Sequence, residues 1–292
     1  MLKRFVELEN AIRATLVFTD SRLPIITTED WTLYSQLCQI LRPFEEITKS
    51  MSGEKYVSGS SVIVVTRCLK EACEKITSRT DLLSAVTDVA LTLRSGLIDR
   101  FGIIEQSGTF SLCTFMDPRF KTQGFCDQNE ANKTKVRVRK MVAALIAKTT
   151  NTTPSSVLTV TDDLNKSNDD LNPWNIFDQM IASTTTQGTP LSKAIKEVDM
   201  YLADELLPRK DQQGNLNSPL EWWKNRQFVY PHLKQIFVTH CNIVATSVPC
   251  ERIFSKTGLI INQRRTRLTT SKVEQIMFLN INSPEDRFKG YE

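Results

Sequence analysis

Apolar side chains recur every three or four residues along the first half of the chain, which is the period of an amphipathic α-helix. Met1 to Glu7 shows this pattern. Thr27 to Asp30 is a capping-box sequence that predicts a helix start, and Pro43 predicts a kink or an end. Three apolar stripes carry the predicted helices: Trp31, Leu33, Tyr34, Leu37, Ile40, Leu41 and Phe44; Val62, Val65, Leu69, Ala72 and Ile76; and Leu82, Val86, Val89, Leu93 and Leu97.

Two stretches in the chain break the helical pattern. Phe110 to Met116 is a short continuous apolar run closed by Asp117-Pro118, and it predicts a short strand. Ile243 to Ala245 predicts a second strand. A helix from Glu130 to Ala147 carries cations on its polar side, and we expect that side to face solvent. The sequence therefore predicts a mainly α fold with few short strands.

The second half opens with a change of composition. Thr149 to Asp170 is polar and aperiodic, which predicts a mobile linker, and 183–189 predicts a further loop after a short helix at 173–181. Helical patterns resume at residue 190. We expect helices to start at Pro190, Pro219 and Pro231, because proline favours the first turn of a helix. The last two predicted helices are one that ends near Gly258 and one over 270–281.

Length and composition exclude several classes of protein. A chain of 292 residues can form one large domain or two ordinary ones, and no apolar run approaches the roughly 20 residues of a membrane span. Seven scattered cysteines without a CxxC pair, and only two histidines, argue against a structural zinc site. We expect reduced thiols and an intracellular protein. The His240-Cys241 pair has two interpretations: a pair of metal ligands, or a helix end that packs on the core.

Positive charge is concentrated in the last quarter of the chain. Residues 219–292 hold 11 Lys and Arg against 6 Asp and Glu, whereas the remainder holds 26 against 27. This excess favours an anionic partner there, although surface solubility would also explain it.

The segment from Ala245 to Leu268 carries the candidate chemistry. Glu251 lies in the first turn of a predicted helix, and a cationic strip follows. A carboxylate beside such a strip is typical of a site where a metal ion and a nucleic acid meet, but the helix dipole alone would also favour Glu251 there. The candidate DNA-binding residues are Lys256, Arg264, Arg265 and Arg267.

An aromatic cluster precedes this segment. Trp222 and Trp223 suit either stacking on an unpaired base or a packing anchor at an interface. The candidate dimerisation or packing residues are Trp222, Trp223, Tyr230, Leu233, Phe237 and Phe254.

These motifs together resemble a known family. The resemblance is carried by Leu220-Glu-Trp-Trp, Tyr230-Pro-His-Leu, Ser247 to Ser255 and the following arginines. They resemble the C-terminal dimerisation region of hAT-family transposases, which zinc-finger BED-type proteins share. Met116 to Lys121 and Trp31 to Ser52 also look like family signatures.

The resemblance implies an RNase-H-like fold that is split by a helical insertion. It implies an Asp-Asp-Glu triad whose glutamate would be Glu251, with Mg²⁺ as the metal only if two aspartates complete the site. None of Asp20, Asp99 and Asp117 matches the family aspartates, so Glu251 is interpreted as vestigial and no metal site is predicted. The resulting division is a helical insertion-like region at 1–148, a linker at 149–189 and a C-terminal dimerisation region at 190–292.

We therefore expect a truncated transposase-derived protein of the nucleus, not an enzyme on its own and without a cofactor. It would act as a homodimer or in association with longer hAT-related proteins, with DNA as a further possible partner and no membrane association. The alternative is the DNA-binding part of a working Asp-Asp-Glu transposase whose aspartates lie outside this chain.

Overall fold

The computed structural model describes residues 1–18, 26–52, 58–152, 172–184, 188–261 and 268–282. Within these ranges the secondary structure is almost entirely helical, and one isolated bridge between Lys210 and Leu216 is the β-type pairing found there. Internal contacts divide the chain into two compact units. Unit 1 comprises 1–58, 81–86 and 244–292, and unit 2 comprises 59–80 and 87–243. The mainly α prediction is confirmed.

Unit 2 is built around a short central helix, α6. Its core combines side chains of α6, α7, α9 and α11, and α6 contacts both α4 and α7. Its helices are α4 (Val62–Thr77), most of α5 (Ser84–Phe101), α6 (Gly108–Met116), α7 (Gln128–Thr152), α8 (Pro173–Thr184), α9 (Pro190–Ala203), α10 (Pro219–Asn225) and α11 (Pro231–His240).

The strand predicted for Phe110 to Met116 is wrong, because this run is helix α6. Ser107 caps its start by accepting a hydrogen bond from the Phe110 amide at 3.5 Å. Residues 111–116 are all buried. A short run that is apolar on every side fits a fully enclosed helix as well as a central strand, so periodicity cannot separate the two.

The strand predicted for Ile243 to Ala245 is also wrong, since these residues lie in an irregular connection. The Ile243 carbonyl accepts a hydrogen bond from the Gly59 amide at 2.9 Å. A Cβ atom on residue 59 would lie 2.7 Å from that carbonyl oxygen, so the close approach requires glycine. This contact ties the end of unit 2 to its beginning without a β-ladder.

Unit 1 holds the two ends of the described chain. Its helices are α1 (Leu2–Glu7), α2 (Glu9–Phe18), α3 (Thr28–Met51), α12 (Val248–Ile260) and α13 (Thr270–Asn282). The capping box is confirmed: the Asp30 amide donates to Thr27 Oγ1 at 3.2 Å, and the Thr27 amide donates to Asp30 Oδ2 at 2.7 Å. Pro43 does not end α3, and α12 continues past Gly258.

The structure differs from two further expectations. Thr149 to Thr152, predicted as the start of the linker, belong to α7, and 153–171 lie outside the described residues. The cationic side of α7 is not simply solvated, since Lys135 and Arg139 both bind Asp199 of α9.

The RNase-H-like remnant and the division at 148 and 189 stay predictions. Among the described helices, none is both long and apolar enough to cross a membrane.

Candidate interaction surface

The motif Met116 to Lys121 forms a buried turn after α6. Asp117 is buried, and its carboxylate accepts hydrogen bonds from Arg119 Nε at 2.9 Å and Nη2 at 2.7 Å. The Ser60 hydroxyl donates a further bond at 2.6 Å. Every one of these partners belongs to unit 2, so the Asp117 carboxylate serves the packing of that unit.

Lys121 is a buried lysine in the same turn. Its ammonium group donates hydrogen bonds of 2.6 Å to the carbonyl oxygens of Tyr201 and Asp204 at the end of α9. It also lies 4.8 Å from the centre of the Tyr201 ring. Burial lowers its pKa, although the Asp204 carboxylate opposes that shift. The lysine satisfies carbonyl groups that the helix terminus leaves without intrahelical donors.

The predicted tryptophan pair lies in an aromatic cluster of unit 2. Trp223 is buried, donates from Nε1 to the Met116 carbonyl at 3.0 Å and stacks on Phe237. Trp222 is half-buried, stacks on Tyr230 with ring centres 6.0 Å apart, and is covered by the Arg226 guanidinium at 5.2 Å. Trp222 therefore already has an aromatic ring and a guanidinium group packed against it.

Tyr230 and Leu233 complete this cluster at the start of α11. Both are buried, and the Tyr230 hydroxyl donates to the Asp204 carboxylate at 2.8 Å. Burial and this hydrogen bond raise the pKa of Tyr230 to about 12. Glu197 accepts bonds from the His232 and Leu233 amides at 3.0 and 2.9 Å, which caps α11. Four of the six candidate dimerisation or packing residues, Trp223, Tyr230, Leu233 and Phe237, thus lie in the interior of one chain.

Phe254 differs from those four because it is 74% exposed on α12. Helix α12 contacts α13, where Met277 is buried and Phe278 is 66% exposed. Five large apolar side chains on these two helices and at the end of α12 are exposed, and together they are called here the α12–α13 surface. Its members are Phe254, Ile261, Phe278, Leu279 and Ile281.

The remaining candidate residues lie on or beside this surface. Glu251 is exposed in the first turn of α12, where its carboxylate accepts a hydrogen bond from the Ser247 hydroxyl at 2.7 Å. Lys256 is exposed and lies 3.4 Å from Asn280 Oδ1 of α13. The predicted DNA-binding residues Arg264, Arg265 and Arg267 lie outside the described residues. Within the described part of the chain, no group of three or more His, Cys, Asp or Glu side chains could hold a metal ion.

Sequence reasoning missed several residues of these sites. Phe278 and Ile281 belong to the helix predicted over 270–281 but are not among the six candidate dimerisation or packing residues, although their aromatic and branched side chains were a visible signal. No sequence signal marks Lys121 as buried, because lysine is ordinarily a surface residue.

Comparison with known families supports the resemblance drawn from the motifs. Residues 197–283 match the family described as "hAT family C-terminal dimerisation region". The match begins within α9 and ends just after α13, so it contains the aromatic cluster of α10 and α11 together with the α12–α13 surface. This portion of the chain is therefore similar to a hAT-type dimerisation region.

Relatives match over most of this chain at low identity. Zinc finger BED domain-containing protein 4 of Homo sapiens is 21% identical over 284 residues, which are 97% of this chain and 23% of the relative. Zinc finger BED domain-containing protein 6 of Homo sapiens is 22% identical over 278 residues, 88% of this chain and 28% of its own length. A Zea mays relative named for the AC transposase is 22% identical over 262 residues, with 85% and 30% covered. The chain thus spans between 23% and 30% of these curated relatives.

Proposed function

We propose that this chain, whose residues 197–283 match the hAT family C-terminal dimerisation region, acts mainly through protein association in the nucleus. The association is a homodimer or a pair with a longer hAT-related protein. The observation that carries the proposal is the α12–α13 surface, where two phenylalanines of the matched region are exposed.

Burial of four of the other candidate residues in the matched region supports this choice of surface. Trp223, Tyr230, Leu233 and Phe237 are already packed inside the chain and are unavailable to a partner. Phe254 and Phe278 are large apolar side chains in contact with water, and exposed apolar patches mark association sites. Burying aromatic side chains at an interface contributes a large part of the binding free energy.

The test is the mass of the chain in solution, measured by light scattering at about ten to a hundred micromolar, a range typical of moderate affinities. We expect a dimer for the unchanged chain and a monomer for the double variant Phe254→Glu, Phe278→Glu. The matched control is Ile103→Glu in unit 2, because Ile103 is 71% exposed and lies outside the matched region. The control should remain a dimer, and circular dichroism should show equal helix content in all three.

A monomeric unchanged chain would contradict the proposal. A double variant that still dimerises would remove the α12–α13 surface from the interface. Phe228→Glu then tests the turn between α10 and α11, where Phe228 is also exposed.

DNA binding is the second candidate function, favoured by the cations at and after α12. Lys256 is exposed, and Arg264, Arg265 and Arg267 follow in sequence. Phosphate contacts release counterions, so affinity for duplex DNA should fall steeply with salt. Replacing the three arginines by alanine should flatten that dependence. A variant with an unchanged salt dependence would exclude these arginines as the contact.

We propose no catalytic role for Glu251 in this chain and no cofactor for its association. A two-metal phosphodiester site needs several carboxylates that converge, and the described residues supply no such group. The Asp117 carboxylate is committed to Arg119 and Ser60. Mg²⁺-dependent strand cleavage by the chain, lost in Glu251→Gln, would overturn this part of the proposal.

A further inference from the structure

Two cysteine side chains lie side by side in the core of unit 2. Cys113 belongs to α6, Cys241 directly follows the last residue of α11, and both are fully buried. The Cys113 thiol donates a hydrogen bond to the His240 carbonyl oxygen at 3.7 Å. That carbonyl carbon is bonded to the Cys241 nitrogen, so the two cysteines are neighbours in space although they are far apart in sequence. Their thiols also share a hydrogen bond with each other.

This pairing distinguishes the two residues from the other cysteines of the chain. Cys73 is equally buried, but the groups that act on its thiol are the charged side chains of Arg94 and Glu74. Three further cysteines are exposed, namely Cys68, Cys126 and Cys250. A disulfide requires two cysteines whose Cα atoms are close enough to be bridged, and a hydrogen bond between two thiols brings their sulfur atoms within reach of each other.

The shared hydrogen bond gives the two sulfur atoms different roles. It lowers the pKa of Cys113, because a Cys113 thiolate accepts the bond from Cys241, although burial and the Asp117 carboxylate oppose this shift. The same hydrogen bond, together with burial, raises the pKa of Cys241, which donates the bond only while it is protonated. The thiolate is the nucleophilic form of cysteine, so Cys113 is the sulfur that reacts first.

We propose that Cys113 and Cys241 form a redox-sensitive pair, which hydrogen peroxide converts into a disulfide between α6 and the end of α11. The Cys113 sulfur attacks one peroxide oxygen, the O–O bond breaks, and a Cys113 sulfenic acid and one water are formed. The Cys241 sulfur then attacks the Cys113 sulfur, the S–O bond breaks, and a second water leaves with the Cys241 proton. The two thiols lose two electrons, and one peroxide is reduced to two waters.

The position of Cys241 gives a small oxidant a route to the buried pair. Cys241 ends α11 through its amide, which donates to the Phe237 carbonyl at 2.9 Å, and residues 241–247 after it are irregular. Helix ends open more readily than helix interiors, and hydrogen peroxide is little larger than water. We therefore expect the pair to react more slowly than the exposed Cys250, and the disulfide to be opened again by a thiol reductant.

The disulfide would hold the residue at which the chain leaves α11 against the central helix of unit 2. It closes a long loop, so it restricts the unfolded chain and stabilises the folded one. Cys241 lies in the matched region, but neither cysteine belongs to the α12–α13 surface. The inference is therefore independent of the proposed dimerisation.

Peroxide treatment of the full chain tests the pair, in a background where four other cysteines are removed by Cys38→Ser, Cys68→Ser, Cys126→Ser and Cys250→Ser. The oxidised protein should lose the mass of two hydrogen atoms, and peptide mapping should find Cys113 joined to Cys241. Its thermal midpoint should rise by about 5 °C and return when the disulfide is reduced. Cys241→Ala should abolish both changes, whereas the matched control Cys73→Ala should retain them.

Two outcomes would overturn the inference. One is that Cys113 and Cys241 are both still alkylated as free thiols after the folded chain has been treated with peroxide. The other is that Cys73 is linked to either of them as often as they are linked to each other, because burial without pairing would then decide the reaction. These measurements do not involve the mass in solution, so their failure leaves the proposed dimerisation standing.

Discussion

Single residues in the signature motifs act as internal braces of unit 2. Asp117, Lys121 and Trp223 each place a polar atom in the interior, and each finds a partner there. Such groups are costly when their partners are lost, because a buried polar atom without a hydrogen bond keeps its full desolvation penalty. At these positions, the motifs that carry the family resemblance have a structural role.

Replacing Lys121 by methionine should lower the free energy of unfolding by about 2 kcal/mol, because a buried and a partly buried carbonyl group lose a charged donor. Urea denaturation followed by circular dichroism measures the change. Lys133→Met is the control, because this lysine side chain is exposed on α7, and it should change stability by less than about 0.5 kcal/mol. Equal effects of the two substitutions would show that the Lys121 bonds contribute little.

At the scale of the helices, α7 and α9 are joined by charge as well as by apolar packing. Asp199 of α9 accepts bonds from Lys135 at 2.9 Å and from Arg139 at 2.6 and 2.8 Å. Partial burial opposes ionisation of Asp199, but these two cations outweigh it and hold its pKa below the usual 3.8. The ionised carboxylate is therefore favoured in the folded state.

This depressed pKa predicts how stability depends on pH. Stability from Asp199 should be fully present above about pH 5, where the unfolded side chain is also ionised, and should be lost as the pH falls through the folded-state pKa. Asp199→Asn should cost about 1 kcal/mol near pH 6, since the carboxylate is partly exposed. The difference between the two proteins should shrink in denaturation curves recorded below pH 4. A constant difference down to pH 2 would contradict the assignment.

At the scale of the whole molecule, exposed apolar surfaces lie on both compact units. Unit 1 carries the α12–α13 surface, and unit 2 carries the exposed Trp174 and Phe177 of α8. The proposed dimer covers the α12–α13 surface, so folding and association are linked through concentration.

The thermal midpoint should therefore rise with protein concentration for the unchanged chain, since dimer formation favours the folded state. Differential scanning calorimetry across a hundredfold range, about 1 to about 100 µM, measures this. The Phe254→Glu, Phe278→Glu variant should show a midpoint that does not depend on concentration. A concentration-independent midpoint for both chains would argue against the dimer.

The sequence by itself determined the helical class, most helix starts and the family of the C-terminal region. These depend on local signals: the capping box at Thr27, prolines at 190, 219 and 231, and motifs read in order along the chain. It did not identify α6 as a helix, because a short run that is apolar on every side has no period to read.

The tertiary structure decided which aromatic residues are available to a partner. Trp223 and Phe254 are both large apolar residues of the same matched region, yet one is buried and the other exposed. That difference depends on contacts with residues distant in sequence, such as Met116 against Trp223. The residues next to Trp223 in sequence do not specify these distant neighbours. Only the folded chain therefore shows which apolar residues form the core and which stay exposed for association.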